Sequence, residues 1–223
     1  MPLCLKEAII NPITKTTRTS IVEDYRPISL LPISSKVFEK LVLKHFVLPY
    51  VRGHLKSSQF AYVPGHGSGT VCALTLLYDR IIRFLDSPGA VRILSVDFSK
   101  AFDKLTHSSI VKSAVSFGLP PFIVSWIHNF LQDRYQCVRF LDVFSSWSVV
   151  PSGVPQGSVL GAVLFCMIVD SFRCLSSNSF CVKYADDFNT SILVSYILFV
   201  IVMMTCKQNG IMFLIGHMCI VFL

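Results

Sequence analysis

Tyr184-Ala185-Asp186-Asp187 sets two carboxylates side by side on what reads as a short turn. A third acid, Asp97, closes the β-branched apolar run Val91-Arg92-Ile93-Leu94-Ser95-Val96, which reads as a buried strand. Adjacent ionised aspartates repel and raise each other's pKa, so a fold that keeps both charged supplies a cation, and a hard divalent ion such as Mg²⁺ suits oxygen donors. The chemistry indicated is metal-assisted phosphoryl transfer, with Asp97 completing a site for two ions. An Asp-Asp pair alone is also a common solvated turn. What separates the two readings is the company the acids keep.

The acids need rigid carriers, and the surrounding pattern supplies them. Thr106 or Ser108 can cap a helix that runs to Phe117 and stops at Gly118, with Pro120 and Pro121 beyond. A second helix opens there, with Phe122, Trp126 and Phe130 and with Ile123, Ile127 and Leu131 recurring at i, i+4 as one broad apolar face for the core. A third helix is expected after Gly157. Upstream, Val37, Phe38, Leu41, Val42 and Phe46 fall at helical spacing, which predicts an amphipathic helix from Ser35 to about Pro49. Gly65, Gly67 and Gly69 mark a turn before a helix starting near Thr70, and the run lacks the lysine of a nucleotide P-loop. Strand-like segments near 91–98, 136–143 and 180–184 interleave with these helices, giving an α+β fold with an antiparallel sheet.

Asp97 is followed by Phe98-Ser99-Lys100-Ala101-Phe102-Asp103, and between the acidic sites lies Ser152-Gly153-Val154-Pro155-Gln156-Gly157-Ser158-Val159-Leu160-Gly161. In this order of strand acid, Pro-Gln-Gly loop and Ala-Asp-Asp turn, the chain resembles the reverse transcriptases of non-LTR, LINE-like retrotransposons. The resemblance extends upstream through Ala8 to Lys15, Asp24 to Pro32, Ser35 to Lys40, Gln59 to Gly65 and Leu131 to Val138, and so runs from about residue 3 to about 190. It implies a polymerase fingers-palm fold of α+β class, with an antiparallel palm sheet packed on helices. The fingers would take residues 1–90 and the palm 91–187, leaving 188–223 as an apolar tail without the family's thumb.

The resemblance also implies an RNA-directed DNA polymerase acting on an RNA template, a DNA primer and deoxynucleoside triphosphates. Two Mg²⁺ ions, with Mn²⁺ as the alternative, would be held by Asp97 and Asp186, with Asp187 as supporting carboxylate and the backbone of Phe98 beside the triphosphate. Consecutive strand residues point oppositely, which leaves open that Asp187 faces the other side of the hairpin. Phe102 stands where the family places an aromatic ring beneath the incoming sugar, excluding a 2′-hydroxyl; on pattern alone it is equally core filler. Gln156 and Gly157 fit a tight turn that brings backbone close to template and nucleotide. Lys15 and Arg26 match cations that would pair with the triphosphate. Three departures stand out: Val63 replaces a usual arginine, Ala162 replaces a usual proline, and nothing after Asp187 matches the family's Trp-containing helix or Asn-x-x-Lys segment.

Charge agrees with a phosphate-bearing partner. Twenty Lys and Arg against thirteen Asp and Glu give +7, and the first sixty residues hold nine of the bases and four of the acids. Eight cysteines without a Cys-x-x-Cys pair read as reduced thiols, in keeping with the cytoplasmic or nuclear setting expected of the family. The N-terminus shows no charged stretch leading into a signal-peptide core. From Phe188 to Cys206 nineteen residues carry no charge, close to the about 20 needed to span a bilayer. Either 188–206 is a membrane segment, or the tail is foreign sequence joined to a truncated polymerase domain that is inactive alone; the second is the reading taken. The alternatives are a non-catalytic RNA-binding remnant and a membrane-anchored fragment.

Overall fold

The computed structural model describes residues 1–15, 21–55, 58–63, 69–86, 90–97, 101–172, 179–184, 187–194 and 218–222. In chain order its elements are β1 (Glu7–Thr14), β2 (Tyr25–Leu30), α1 (Ile33–Val42), a π-helical turn (Leu43–Val47), α2 (Leu48–His54), α3 (Thr70–Leu85), β3 (Ala90–Asp97), α4 (His107–Ser116), α5 (Pro121–Leu131), β4 (Tyr135–Phe140), β5 (Val143–Phe144), β6 (Ser148–Val149), α6 (Gly161–Val169), β7 (Ser179–Tyr184), β8 (Asp187–Val194) and β9 (Met218–Phe222). The chain forms two compact units, one from residues 1–51 and 102–165, the other from 52–101 and 166–223.

In the first unit β1 pairs antiparallel with β2 and parallel with β4, and β5 and β6 both pair with β4. Ala8 and Ile10 alternate inward along β1. The segment expected near 136–143 is thus a strand, but it belongs to this mixed sheet and not beside residues 91–98 and 180–184, its register running from Glu7↔Tyr135 to Ile10↔Val138. A short strand read from its residue types leaves the pairing partner open.

The helices behave as their caps dictate. Thr106 accepts a hydrogen bond from the Ser109 N–H at 3.3 Å to start α4, and Gly118 ends it with φ +72°. Pro121 occupies the first turn of α5, where a missing N–H costs nothing. Ile110, Ile127, Phe130 and Leu131 are fully buried, whereas Phe122, expected on the same apolar face, is 61% exposed and meets Phe46 edge-on.

Helix α1 reverses the expected amphipathic sense. Its fully buried residues are Ser35 and Glu39, while Val37, Phe38 and Leu41 are about half exposed. The third expected helix begins at Gly161, four residues beyond Gly157, because Pro155 to Ser158 close a turn in which the Ser158 N–H donates to the Pro155 carbonyl at 3.0 Å.

The second unit carries a sheet in the order β7-β8-β3-β9, antiparallel throughout. Helix α3 packs on β7 and β3 around Phe60, Ala73 and Val182, with Leu76, Leu77, Phe180 and Tyr184 at the margin. β8 holds the first part of the uncharged stretch after Asp187, and lies between β7 and β3. A strand flanked on both sides in a helix-covered sheet is where an uncharged run belongs. Of the remaining apolar tail, residues 195–217 and 223 lie outside the described residues. Among the described residues no helix is long and apolar enough to cross a membrane.

Candidate active site

β3 ends at Asp97 and β8 begins at Asp187, and the ladder between them runs without interruption from Ala90↔Val194 to Asp97↔Asp187. The two acids therefore occupy the last rung, where directly opposed Cα atoms of an antiparallel pair lie about 4.5–5.5 Å apart. Tyr184↔Asp187 is likewise the last β7–β8 pair, leaving Ala185 and Asp186 as the connection. Ala185, Asp186 and Phe98 lie outside the described residues, and Asp97 and Asp187 are placed by main-chain register.

In the first unit the Pro-Gln-Gly loop is stitched onto the segment that follows Asp97 in sequence. The Gly153 N–H donates to the Leu105 carbonyl at 2.7 Å and the Val154 N–H to the Phe102 carbonyl at 2.9 Å. The Ser152 hydroxyl donates to the Asp103 carbonyl at 3.0 Å, and the Gln156 amide reaches the Asp103 carboxylate at 3.2 Å. Gly153 is required by this approach: its φ is +85°, and a Cβ there would stand 2.7 Å from the Phe102 and Asp103 carbonyl oxygens. His107, the first residue of α4, holds Nε2 at 3.2 Å from the Gly153 carbonyl. Burial lowers the His107 pKa and outweighs the opposing pull of that hydrogen bond. The Phe102 ring, half-buried, packs on Phe165 at 4.8 Å between centroids, so its site is framed by core on one side.

Glu39 secures the far end of the loop. Its carboxylate, fully buried, accepts from the Ser35 hydroxyl at 3.2 Å, the Ser158 hydroxyl at 2.5 Å and the Leu160 N–H at 3.2 Å. Ser158 in turn accepts from the Gly161 N–H at 2.9 Å at the start of α6. Gly157, between the two anchorages, sits at φ +76°. Near this carboxylate Arg134, also buried, is brought down to about 10 by desolvation, against which the charge of Glu39 acts. Arg134 donates to the Phe130 carbonyl at 3.0 Å and lies 4.9 Å over the Phe130 ring.

Of the expected nucleotide-binding residues, Gln156 and Gly157 thus lie in the braced loop and Phe102 in the segment that braces it. Lys15 and Arg26 share the loop end of the β1–β2 pair, both exposed, with the Lys15 N–H donating to the Asp24 carbonyl at 2.8 Å and Arg26 opposite Ile13. These five belong to the first unit, and Asp97, Asp186 and Asp187 to the second. Glu39, Asp103 and Gly153 brace this loop, a role that the sequence did not assign to them; the available signals were a Ser-x-x-x-Glu spacing inside a helix and a glycine two residues before Pro155. Val63, where an arginine was expected, is 2% exposed and serves the core.

Residues 13–193 match the family model for reverse transcriptase (RNA-dependent DNA polymerase). The chain is 36% identical over 144 residues to a probable RNA-directed DNA polymerase from transposon X-element of Drosophila melanogaster, a match that covers 64% of this chain and 16% of the relative. It is 30% identical over 173 residues to the corresponding protein of transposon BS and 31% over 166 residues to that of mobile element jockey, both from the same organism. Each of those matches covers 74% of this chain, and the chain spans 19% and 18% of their lengths. Among solved structures, apo telomerase from Candida tropicalis truncated from its C-terminal domain superposes with a TM-score of 0.55 at 14% identity, over 84% of this chain and 44% of that one. The telomerase of the same organism solved with a TWJ fragment of telomeric RNA gives 0.58 at 11% identity, over 86% and 37%. That likeness is one of fold.

Proposed function

The chain belongs to the reverse transcriptase family, among the polymerases of non-LTR retrotransposons, and from that premise we propose that it carries the nucleotidyl-transfer site of an RNA-directed DNA polymerase, with fingers in residues 1–90 and palm in 91–187. The observation that carries this reading is the shared last rung of Asp97 and Asp187, with Asp186 in the two-residue connection beside it. The donor set is all carboxylate, which suits a hard divalent cation and not a soft or borderline one. Asp97, Asp186 and Asp187, with the Phe98 backbone, would hold the ion pair, Mg²⁺ by preference. When bound, the ions lower the pKa of the primer 3′-hydroxyl and offset the charge of the leaving pyrophosphate.

The chain's own residues then orient the reactants. The braced loop at Gln156 and Gly157 brings its backbone to the template and the incoming nucleotide, with the Gln156 amide engaged on Asp103. Phe102, supported from behind by Phe165, fills the space a 2′-hydroxyl would need. Lys15 and Arg26, which match the family's cations, are assigned to pairing with the triphosphate. An RNA template and a DNA primer complete the substrate set.

Since the chain is read as inactive without a thumb, the test is isothermal titration of Mg²⁺ with the full chain, beside Mg²⁺-dependent extension of a DNA primer on an RNA template by the chain joined to a family-type thumb. Asp97→Asn and Asp186→Asn are expected to lose both extension and the ion while retaining template binding. Variants that extend or bind Mg²⁺ as well as the parent sink the assignment, and so does a parent that neither extends nor binds the ion.

A further inference from the structure

Lys183 directly precedes the acidic turn, and its side chain is 1% exposed. Its Nζ donates to the carbonyls of Val169 at 2.8 Å, Asp170 at 3.4 Å and Phe172 at 2.7 Å. Val169 is the last residue of α6, so the ammonium gathers carbonyls of the helix end and the turn after it, joining the Phe172 N–H, which donates to the Val169 carbonyl at 3.1 Å. All three ammonium protons have acceptors, which is the condition for keeping this group buried. The main chain of Lys183 is held from another side: its N–H donates to the Ser58 carbonyl at 2.9 Å, and its carbonyl accepts from the Phe60 N–H at 3.0 Å. Across the hairpin it pairs with Phe188, one rung from Tyr184↔Asp187.

An apolar side chain of similar length would fill the same space but would take the ammonium donor away from all three carbonyls at once. The chain instead uses a charged residue to fix the hairpin against the end of α6, three residues before Asp186. The geometry points to Lys183 as a positioning residue that sets the acidic turn against α6 and thereby the affinity of the Asp97–Asp186–Asp187 site for its ions. This inference rests on the reading of those acids as the ion site. Groups that orient metal ligands from behind typically contribute about 10–100-fold to metal affinity.

Terbium(III), a hard oxygen-seeking ion, serves as the probe, since Tyr184 beside the acids can sensitise its emission. In the full chain, terbium titration of the parent is expected to saturate, and Asp187→Asn is expected to abolish the signal. Lys183→Met is expected to weaken terbium binding about 10-fold, and Lys183→Arg, which retains charge and carbonyl donors, to recover most of it. A parent that shows no sensitised binding, or an Asp187→Asn variant that binds like it, removes the acid-site reading and the inference with it. Saturating binding lost in Asp187→Asn but unchanged in Lys183→Met overturns the role of Lys183 alone. Should Lys183→Met lose its fold, hydrogen exchange of the parent decides: terbium is expected to raise protection of the amides of Phe60, Asp170, Phe172 and Lys183, and unchanged protection overturns the proposal.

Discussion

Replacing Gly153 by alanine tests the braced loop most directly, because two separable penalties meet there. A Cβ at this position would lie 2.7 Å from two carbonyl oxygens and 2.8 Å from the Asp103 Cα, all of them backbone that no rotamer change can move aside. Forced overpacking of this kind costs about 1–3 kcal/mol. The left-handed φ of +85° adds roughly 1–2 kcal/mol for any residue with a Cβ. Gly118 provides the internal control: it lies in the same unit at φ +72°, yet nothing stands within 4 Å of its Cβ position. Gly118→Ala should therefore carry the conformational penalty alone. The difference between the variants, about 1–3 kcal/mol, corresponds to roughly 2–12 °C in melting temperature for a chain of this size. Differential scanning calorimetry measures it, and hydrogen exchange should show faster loss at the Gly153 and Val154 amides, whose acceptors are the Leu105 and Phe102 carbonyls. A Gly153→Ala variant that melts no lower than Gly118→Ala refutes the close approach of loop and segment.

Other positions give independent tests. Glu39→Ala removes the acceptor of three donors at once and should destabilise the chain by about 3–5 kcal/mol in chemical denaturation, with Glu39→Gln losing less; a loss under about 1 kcal/mol for the alanine variant would dissolve the anchorage. In a chain joined to a family-type thumb, Phe102→Ala should relax discrimination against ribonucleotides by about 1–3 kcal/mol in primer extension, and an unchanged ratio in a variant that still extends would assign the ring to packing on Phe165 alone. Burial pushes the Cys166 thiol up to about 12, so iodoacetamide at pH 8 should label exposed Cys4 and Cys72 while sparing Cys166, as mass spectrometry can read; comparable labelling of all three would contradict the burial. His107 is held below its ordinary pKa by burial, so the unfolded chain takes up the proton first as pH falls below about 6.5, and stability present above that value is lost on acidification. His107→Gln should flatten that acid limb of the melting curve, and parallel limbs in parent and variant would exclude the effect.

Local physics made much of this architecture readable. Thr106 and Gly118 bracket α4 because capping is decided within a few residues, and the β-branched run before Asp97 makes a strand for the same reason. The order of acid, loop and acid identified the parts of the site, but not that Gln156 turns to Asp103 or that Gly153 rests on Phe102, since those contacts form only when segments some fifty residues apart close together. The partner of β4 was hidden similarly: its residue types mark a strand without naming the strand it meets, and the parallel pairing with β1 depends on where α4 and α5 carry the chain.

The largest departure from pattern, the reversal of α1, has a different origin. Hydrophobic periodicity assumes that a helix buries its apolar stripe, because an unpaired carboxylate taken out of water costs several kcal/mol. Glu39 defeats that assumption because Ser35, Ser158 and Leu160 each bring it a donor, and two of the three come from more than a hundred residues downstream. Lys183 is the same case with the sign reversed, a cation inside an apolar strand met by three carbonyls from the end of α6. Glu39 and Lys183 each meet three partners, and each stands beside a segment that the proposed reaction needs held still: the loop at Gln156 and Gly157 for one, the strand that leads into Asp186 and Asp187 for the other. A charge that breaks an apolar period is therefore informative in this chain. It marks a joint where burial is sustained by groups arriving from elsewhere in the fold, and removing the charge should loosen the segment it anchors before it unfolds the unit.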